Sequence, residues 1–174
     1  MRKHKRKKIF AFIDSQNLNL GVRSQRWKLD FKRFRIYLED KYRVNKAFLF
    51  IGFIPKYKSL YTFLKKSGYK LIFKPVVESR KPHKPKGNVD AELVLWAMIE
   101  FRNYDKAIIV SGDGDFYCLI EYLLSKKKLE RIIVPNYYKY SALLRKFAEN
   151  IDFLNSLKEK LGQKKRGINL RTKP

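Results

Sequence analysis

Short apolar runs alternate with amphipathic stretches along most of the chain. Five runs have the length and residue types of buried strands, at residues 9–13, 47–53, 71–77, 107–110 and 131–134. Stretches with helical periodicity lie between or after them, at residues 31–42, 58–67, 89–101, 117–125 and 141–147. Strands that alternate with helices form βαβ units with right-handed crossovers. The pattern therefore predicts an α/β fold with a central, mostly parallel, five-stranded sheet.

Composition predicts one folded domain between two basic ends. The chain has 174 residues, which is enough for a single domain with a substantial core. We expect a basic N-terminal arm at residues 1–8, the folded domain at residues 9–157 and a basic C-terminal tail at residues 158–174.

The charge balance indicates a polyanionic partner. There are 41 Lys and Arg residues against 16 Asp and Glu residues, a formal net charge of +25. Such a surface binds phosphates well because it releases their counterions. An anionic membrane is the alternative, but the sequence has no long uncharged apolar stretch, no signal peptide and no lipidation motif. We therefore expect RNA or another nucleic acid as partner, and no membrane association.

The chain has a single cysteine, Cys118, so it has neither an internal disulfide framework nor a cysteine-based zinc site. This usage fits a reducing, cytoplasmic setting. Because Cys118 falls in an apolar helical pattern, we expect it in the core.

Four aspartates follow predicted strands or begin a predicted helix. Asp14 ends the first strand, Asp90 lies at the start of a helix, and Asp113 and Asp115 lie in Ser-Gly-Asp-Gly-Asp-Phe directly after the fourth strand. The carboxyl ends of parallel strands form one edge of a sheet, where open α/β folds keep their sites. If the first strand is central, Asp14 faces Asp113, and Asp90 points into the same space.

Clustered carboxylates repel one another unless a cation compensates them or one is protonated. Their oxygens suit Mg²⁺ or Mn²⁺, and such a site can support phosphodiester hydrolysis. Lys86 or Asn17 could position the phosphate or a carboxylate. The alternative is structural: Asp14 and Asp90 could be ordinary helix caps, and residues 112–114 a simple turn.

Tyr137 and Tyr138 follow the fifth strand and therefore lie at the same sheet edge as the acids. Exposed aromatic rings stack on unpaired bases, so these two residues are candidates for the rim of a single-strand site. Alternatively, they cover the core and are only partly exposed.

Three motifs together resemble a known family. Phe-Ile-Asp-Ser-Gln-Asn-Leu (12–18), Lys-Gly-Asn-Val-Asp (86–90) and Val-Ser-Gly-Asp-Gly-Asp-Phe (110–116) are similar, in type and order, to those of LabA-like NYN domains in the PIN-like nuclease superfamily. The resemblance covers residues 8–154. It implies a Rossmann-like three-layer sandwich and a metal-dependent ribonuclease site. In that pattern Asp14, Asp90, Asp113 and Asp115 are the acidic positions, Asn17 the polar position after the first Asp, and Ser111 the small hydroxyl residue before the acidic turn. We expect Asn17 and Ser111 to contact the substrate.

The chain departs from the family at one point. Many relatives carry a further acid about two turns into the helix after the second motif, where this chain has Leu95-Trp96-Ala97. A second hypothesis is therefore an RNA-binding protein with a degenerate, inactive site. A third is phosphotransfer with Asp14 as nucleophile, although Gln16 stands where such enzymes usually have a second Asp. The oligomeric state stays open, with a homodimer as one alternative.

Overall fold

The structure is a computed structural model that describes residues 7–74 and 89–164. Its six strands are β1 (Ile9–Asp14), β2 (Val44–Gly52), β3 (Tyr69–Lys74), β4 (Lys106–Val110), β5 (Leu129–Val134) and β6 (Ile151–Phe153). Its six α-helices are α1 (Ser15–Arg23), α2 (Phe31–Tyr42), α3 (Lys58–Lys66), α4 (Asp90–Ile99), α5 (Tyr117–Ser125) and α6 (Lys158–Leu161). Short 3₁₀ helices lie at Pro55–Tyr57, Gly114–Phe116 and Ala142–Asn150.

The strands form one parallel sheet in the order β3-β2-β1-β4-β5-β6. The predicted α/β fold and the central position of β1 are confirmed. The predicted number of five strands is wrong, because β6 pairs with the edge of β5. With only three residues, β6 is too short to produce a recognisable alternation of apolar and polar positions.

Helices cover both faces of the sheet, as a three-layer sandwich requires. In β1, Ile9, Ala11 and Ile13 pack on one side against a core that contains side chains of α1, α2, α3 and α6. Phe10 and Phe12 pack on the other side against side chains of α4, α5 and the Ala142–Asn150 segment. Successive strand residues point to opposite faces, so a strand buried on both sides is apolar throughout.

Two features of the helices differ from the sequence predictions. Helix α1 was not predicted, because Ser-Gln-Asn-Leu-Asn-Leu-Gly-Val-Arg has few apolar positions and buries only Ser15, Leu18 and Val22. The prediction of a buried Cys118 is wrong, since its side chain is exposed. Helix α5 instead turns Leu119, Ile120 and Leu123 inward.

The described part of the C-terminal segment packs on the domain. Leu161 of α6 is fully buried, and Leu29 forms an isolated antiparallel bridge with Gly162. The backbone N–H of Asp30 donates to the Leu161 carbonyl at 2.8 Å. Residues 1–6 and 165–174 of the predicted basic ends, and residues 75–88, lie outside the described residues.

Across the two described ranges, none of the helices combines the length and the apolar character needed to cross a bilayer.

Candidate functional site

Three of the four predicted acids meet at the carboxyl edge of the sheet. Asp90 is the first residue of α4, and Asp113 and Asp115 lie in the turn after β4. One carboxylate oxygen from each of these residues lies within 4.8 Å of the others. Asp90 and Asp113 are half-buried and Asp115 is exposed, so the group opens to solvent. We call Asp90, Asp113 and Asp115 the acid cluster.

Asp14 lies beside the acid cluster, at the end of β1, and is only 5% exposed. Its Oδ1 accepts hydrogen bonds from the backbone N–H groups of Gln16 at 3.1 Å and Asn17 at 3.0 Å. Asp14 is therefore the N-cap of α1, as the structural alternative holds. Its Oδ2 accepts no hydrogen bond from another described residue.

The charge of Asp14 is unfavourable in its surroundings. Burial raises the pKa of Asp14 to about 6, and the negative charges of Asp90 and Asp113 add to the rise. The two backbone hydrogen bonds act in the opposite direction but do not offset it. A buried acid whose pKa lies near neutral, next to further acids, is typical of functional sites.

The turn after β4 that carries Asp113 and Asp115 is called the acid turn (residues 111–116). Its backbone N–H groups donate hydrogen bonds to nearby side chains. Asn17 Oδ1 accepts from the backbone N–H of Gly112 at 2.8 Å, which ties α1 to the turn. Ser111 Oγ accepts from Asp113 N at 3.1 Å, and Asp113 Oδ1 accepts from Asp115 N at 3.0 Å. Asn17 and Ser111, predicted to contact substrate, thus act in this structure as supports of the turn. Their contact with substrate stays a prediction.

Two residues after β5 also support the turn, and sequence reasoning missed them. Ser141 donates its backbone N–H to the Gly112 carbonyl at 2.9 Å. A Cβ added at Gly114 would lie 2.4 Å from Ser141 Oγ, and one at Gly112 would lie 3.1 Å from Tyr140 Cβ. A side chain at Gly114 would therefore clash with Ser141, and one at Gly112 would press tightly against Tyr140. No motif or spacing in the sequence links these distant positions.

Two glutamates, Glu92 in α4 and Glu100 directly after it, do not replace the further acid that many relatives carry in this helix. Glu92 lies 3.4 Å from the ammonium group of Lys74, and Glu100 accepts a hydrogen bond from Asn103. The corresponding stretch of α4 is Leu95-Trp96-Ala97, which contains no acid. Within the described residues, neither glutamate joins the acid cluster. Lys86, predicted to position the phosphate, lies outside the described residues.

Tyr137 and Tyr138 lie at the carboxyl end of β5 and are 53% and 82% exposed. Tyr137 packs edge-on against Phe153, with ring centroids 5.0 Å apart, and against Tyr138 at 5.3 Å. Their backbone N–H groups donate to the side chains of Asn155 and Asn136. Tyr137 therefore covers part of the core, while the ring of Tyr138 is open to solvent.

The donor set of the acid cluster fits a hard divalent cation. Mg²⁺ binds carboxylate oxygens at 2.0–2.1 Å, so two of its ligands lie at most about 4.2 Å apart. The oxygens of the acid cluster all lie within 4.8 Å of one another, so the three carboxylates are close enough to share one ion once their side chains adjust. A cation there also compensates the mutual repulsion of the acids.

Comparison with known proteins gives a family and a similar fold. The model of the NYN domain family matches residues 8–154, a range that includes all three acidic motifs. A crystal structure of a protein of unknown function from Vibrio parahaemolyticus superposes with a TM-score of 0.72 and 25% sequence identity. The alignment covers 88% of this chain and 96% of that chain. No curated protein matches the chain.

Proposed function

This chain belongs to the NYN domain family of PIN-like, nuclease-type domains, and we propose that it is a metal-dependent ribonuclease that hydrolyses RNA phosphodiester bonds. The main support for this proposal is the acid cluster. Oxygens of its three carboxylates lie within 4.8 Å of one another, on a chain with a net charge of +25. A strongly cationic protein has few acids, so their concentration at one sheet edge needs a chemical reason. Gathering RNA and hydrolysing it accounts for both features.

Asp90, Asp113 and Asp115 would hold the Mg²⁺ or Mn²⁺ ion, with Asp14 beside them. When bound, such an ion lowers the pKa of a coordinated water and orients the phosphate. The ion needs these carboxylate oxygens in fixed positions. The hydrogen bonds that Asn17 and Ser111 accept from the backbone of the turn hold it in place.

Asp14 contributes its second carboxylate oxygen to the site. Since Oδ1 is engaged by two backbone N–H groups, Oδ2 is the oxygen left to serve the site. A carboxylate with a pKa of about 6 can take and release a proton near neutral pH. Asp14 is thus suited to accept a proton or to complete the ligand set.

The test is degradation of labelled single-stranded RNA with Mn²⁺. Asp113→Asn and Asp14→Asn should each reduce the rate, Asp113→Asn by about 100-fold or more, since several kcal/mol of transition-state stabilisation is lost. Asp40→Asn is the matched control, because Asp40 is an exposed aspartate of α2. EDTA should abolish cleavage by the wild type. Equal rates in all four proteins would refute the catalytic assignment.

The alternative is an RNA-binding protein with an inactive site. It is favoured by Leu95-Trp96-Ala97, which stand where many relatives carry a further acid, and by Glu92, which lies next to Lys74 rather than in the acid cluster. This hypothesis predicts tight, salt-dependent RNA binding without metal-dependent cleavage over a range of RNA sequences.

A further inference from the structure

A second candidate site lies beside the acid cluster, on the other side of α1. It is a groove of about 910 Å³ between α1, the start of α2, the end of β2 and α3. Ser15 and Gln16, which directly follow Asp14, line it, as do Ile51 and Gly52 at the carboxyl end of β2. Because β2 is the neighbour of β1 in the sheet, the groove opens at the same edge as the acids. We call it the basic groove.

The cations of the basic groove are mostly not neutralised. Four basic side chains line it against one acid, Asp30. Asp30 caps α2 by accepting from Arg33 N at 3.1 Å, and lies 3.9 Å from the Arg33 guanidinium. The other three cations are exposed and form no ion pair with another described residue: Arg23, Lys28 and Lys164. The groove is therefore complementary to a chain of phosphates.

The opposite wall of the basic groove carries exposed apolar and aromatic side chains. Tyr57, Leu60 and Phe63 are 41%, 39% and 45% exposed and belong to the lining. The hydroxyl of buried Tyr61 accepts from Ile54 N at 2.8 Å and lies 3.1 Å from the Gly52 carbonyl. These bonds fix the β2–α3 connection, so the wall that presents Tyr57 is formed before any ligand arrives.

We propose that the basic groove binds the strand of single-stranded RNA next to the nucleotide at the acid cluster. Phosphates match the three unpaired cations, and unpaired bases match the exposed ring of Tyr57 and the apolar side chains beside it. The proposal rests on the proposed function, since it extends the same substrate beyond the acids. The chain's own residues 165–174 are a poorer occupant, because they carry four basic residues and no acid.

Binding of labelled single-stranded RNA of about a dozen nucleotides, measured by fluorescence anisotropy in EDTA, tests the charges of the basic groove. The double variant Arg23→Glu/Lys28→Glu should weaken binding by about tenfold or more. The slope of the logarithm of the binding constant against the logarithm of salt concentration should fall in magnitude by about 1.4. The matched control is Arg102→Glu/Lys126→Glu, two exposed residues that follow α4 and α5 at the opposite sheet edge. The milder Arg23→Gln/Lys28→Gln pair serves if the charge reversal impairs folding.

The variant Tyr57→Leu tests whether the aromatic wall of the groove binds RNA, and Tyr122→Leu is its matched control. Tyr57 and Tyr122 are 41% and 40% exposed, and each has a lysine ammonium over its ring, at 5.2 and 5.4 Å. Tyr57→Leu should weaken binding of the single strand by about tenfold, whereas Tyr122→Leu leaves it unchanged, because only Tyr57 can stack on a base in the groove. Equal binding by groove and control variants, or tighter binding of duplex RNA than of single-stranded RNA by the wild type, overturns the proposal.

The two proposals fail in distinguishable ways. If the groove variants lose binding in EDTA while the wild type never cleaves RNA, the groove stands and the ribonuclease assignment fails. If Asp113→Asn abolishes cleavage while Arg23→Glu/Lys28→Glu and Tyr57→Leu bind and cleave like their controls, the catalytic site stands and the groove proposal is wrong.

Discussion

The two carboxylate oxygens of Asp14 lie in different surroundings. Oδ1 is bound by two backbone N–H groups and caps α1, whereas Oδ2 accepts no hydrogen bond from another described residue. Helix caps stabilise proteins, but here the cap is buried among other acids, which raises its pKa to about 6. The structural interpretation of Asp14 as a helix cap is confirmed, and its functional role stays a prediction. An asparagine could serve the cap equally well, so the charge itself needs a functional reason.

The raised pKa of Asp14 makes its contribution to stability dependent on pH. Below its ordinary value of 3.8 the carboxyl is protonated in the folded and unfolded states alike. Between 3.8 and about 6 only the unfolded state releases the proton, so stability falls as pH rises. Above about 6 the buried charge destabilises the fold by about 3 kcal/mol.

Asp14→Asn should therefore stabilise the metal-free protein. We expect the free energy of unfolding to rise by about 1–3 kcal/mol above neutral pH, because the amide keeps the cap and removes the buried charge. The gain should vanish below about pH 4. Urea unfolding in EDTA across this range measures it, with Asp40→Asn expected to change stability by less than about 0.5 kcal/mol. Destabilisation at neutral pH would contradict the account.

At the scale of elements, the link between α1 and the acid turn organises the site. The apolar strand β4 and the glycine-rich acid turn were predictable, because a buried run followed by Gly and Asp has a distinct pattern. Helix α1 was not predictable, because it has few buried residues. Its role is to bring Asn17 to the turn. A single side-chain bond between residues 95 positions apart leaves no periodic signal in the sequence.

Asn17→Ala should loosen this link. The backbone N–H of Gly112, a buried residue, loses its acceptor, and we expect a loss of about 1–3 kcal/mol in the free energy of unfolding. Asn19→Ala is the control on the same helix: Asn19 is also half-buried, and its side chain makes no hydrogen bond to another described residue. Both variants gain equally in helix propensity. Equal stability of the two variants would show that the Asn17 bond does not hold the turn.

Over the whole molecule, three distant parts of the sequence supply acids to one sheet edge. Their convergence was predictable because β1 is central and β4 is its neighbour, which the alternation of strands and helices favours. The support from Tyr140 and Ser141, the short strand β6 and the basic groove were not predictable. Each depends on how side chains from separate elements pack, which the hydrophobic pattern does not specify.

The positive charge of the chain contrasts with the negative charge of its acid cluster. A net charge of +25 attracts polyanions, and three carboxylates at one edge suit a divalent cation. Anomalous diffraction from crystals soaked in Mn²⁺ shows whether an ion binds at the acid cluster. We expect a peak about 2.2 Å from oxygens of Asp90, Asp113 and Asp115, and its loss in Asp113→Asn crystals. A wild-type crystal at saturating Mn²⁺ with no peak there, or with an equal peak in the variant, would contradict this expectation.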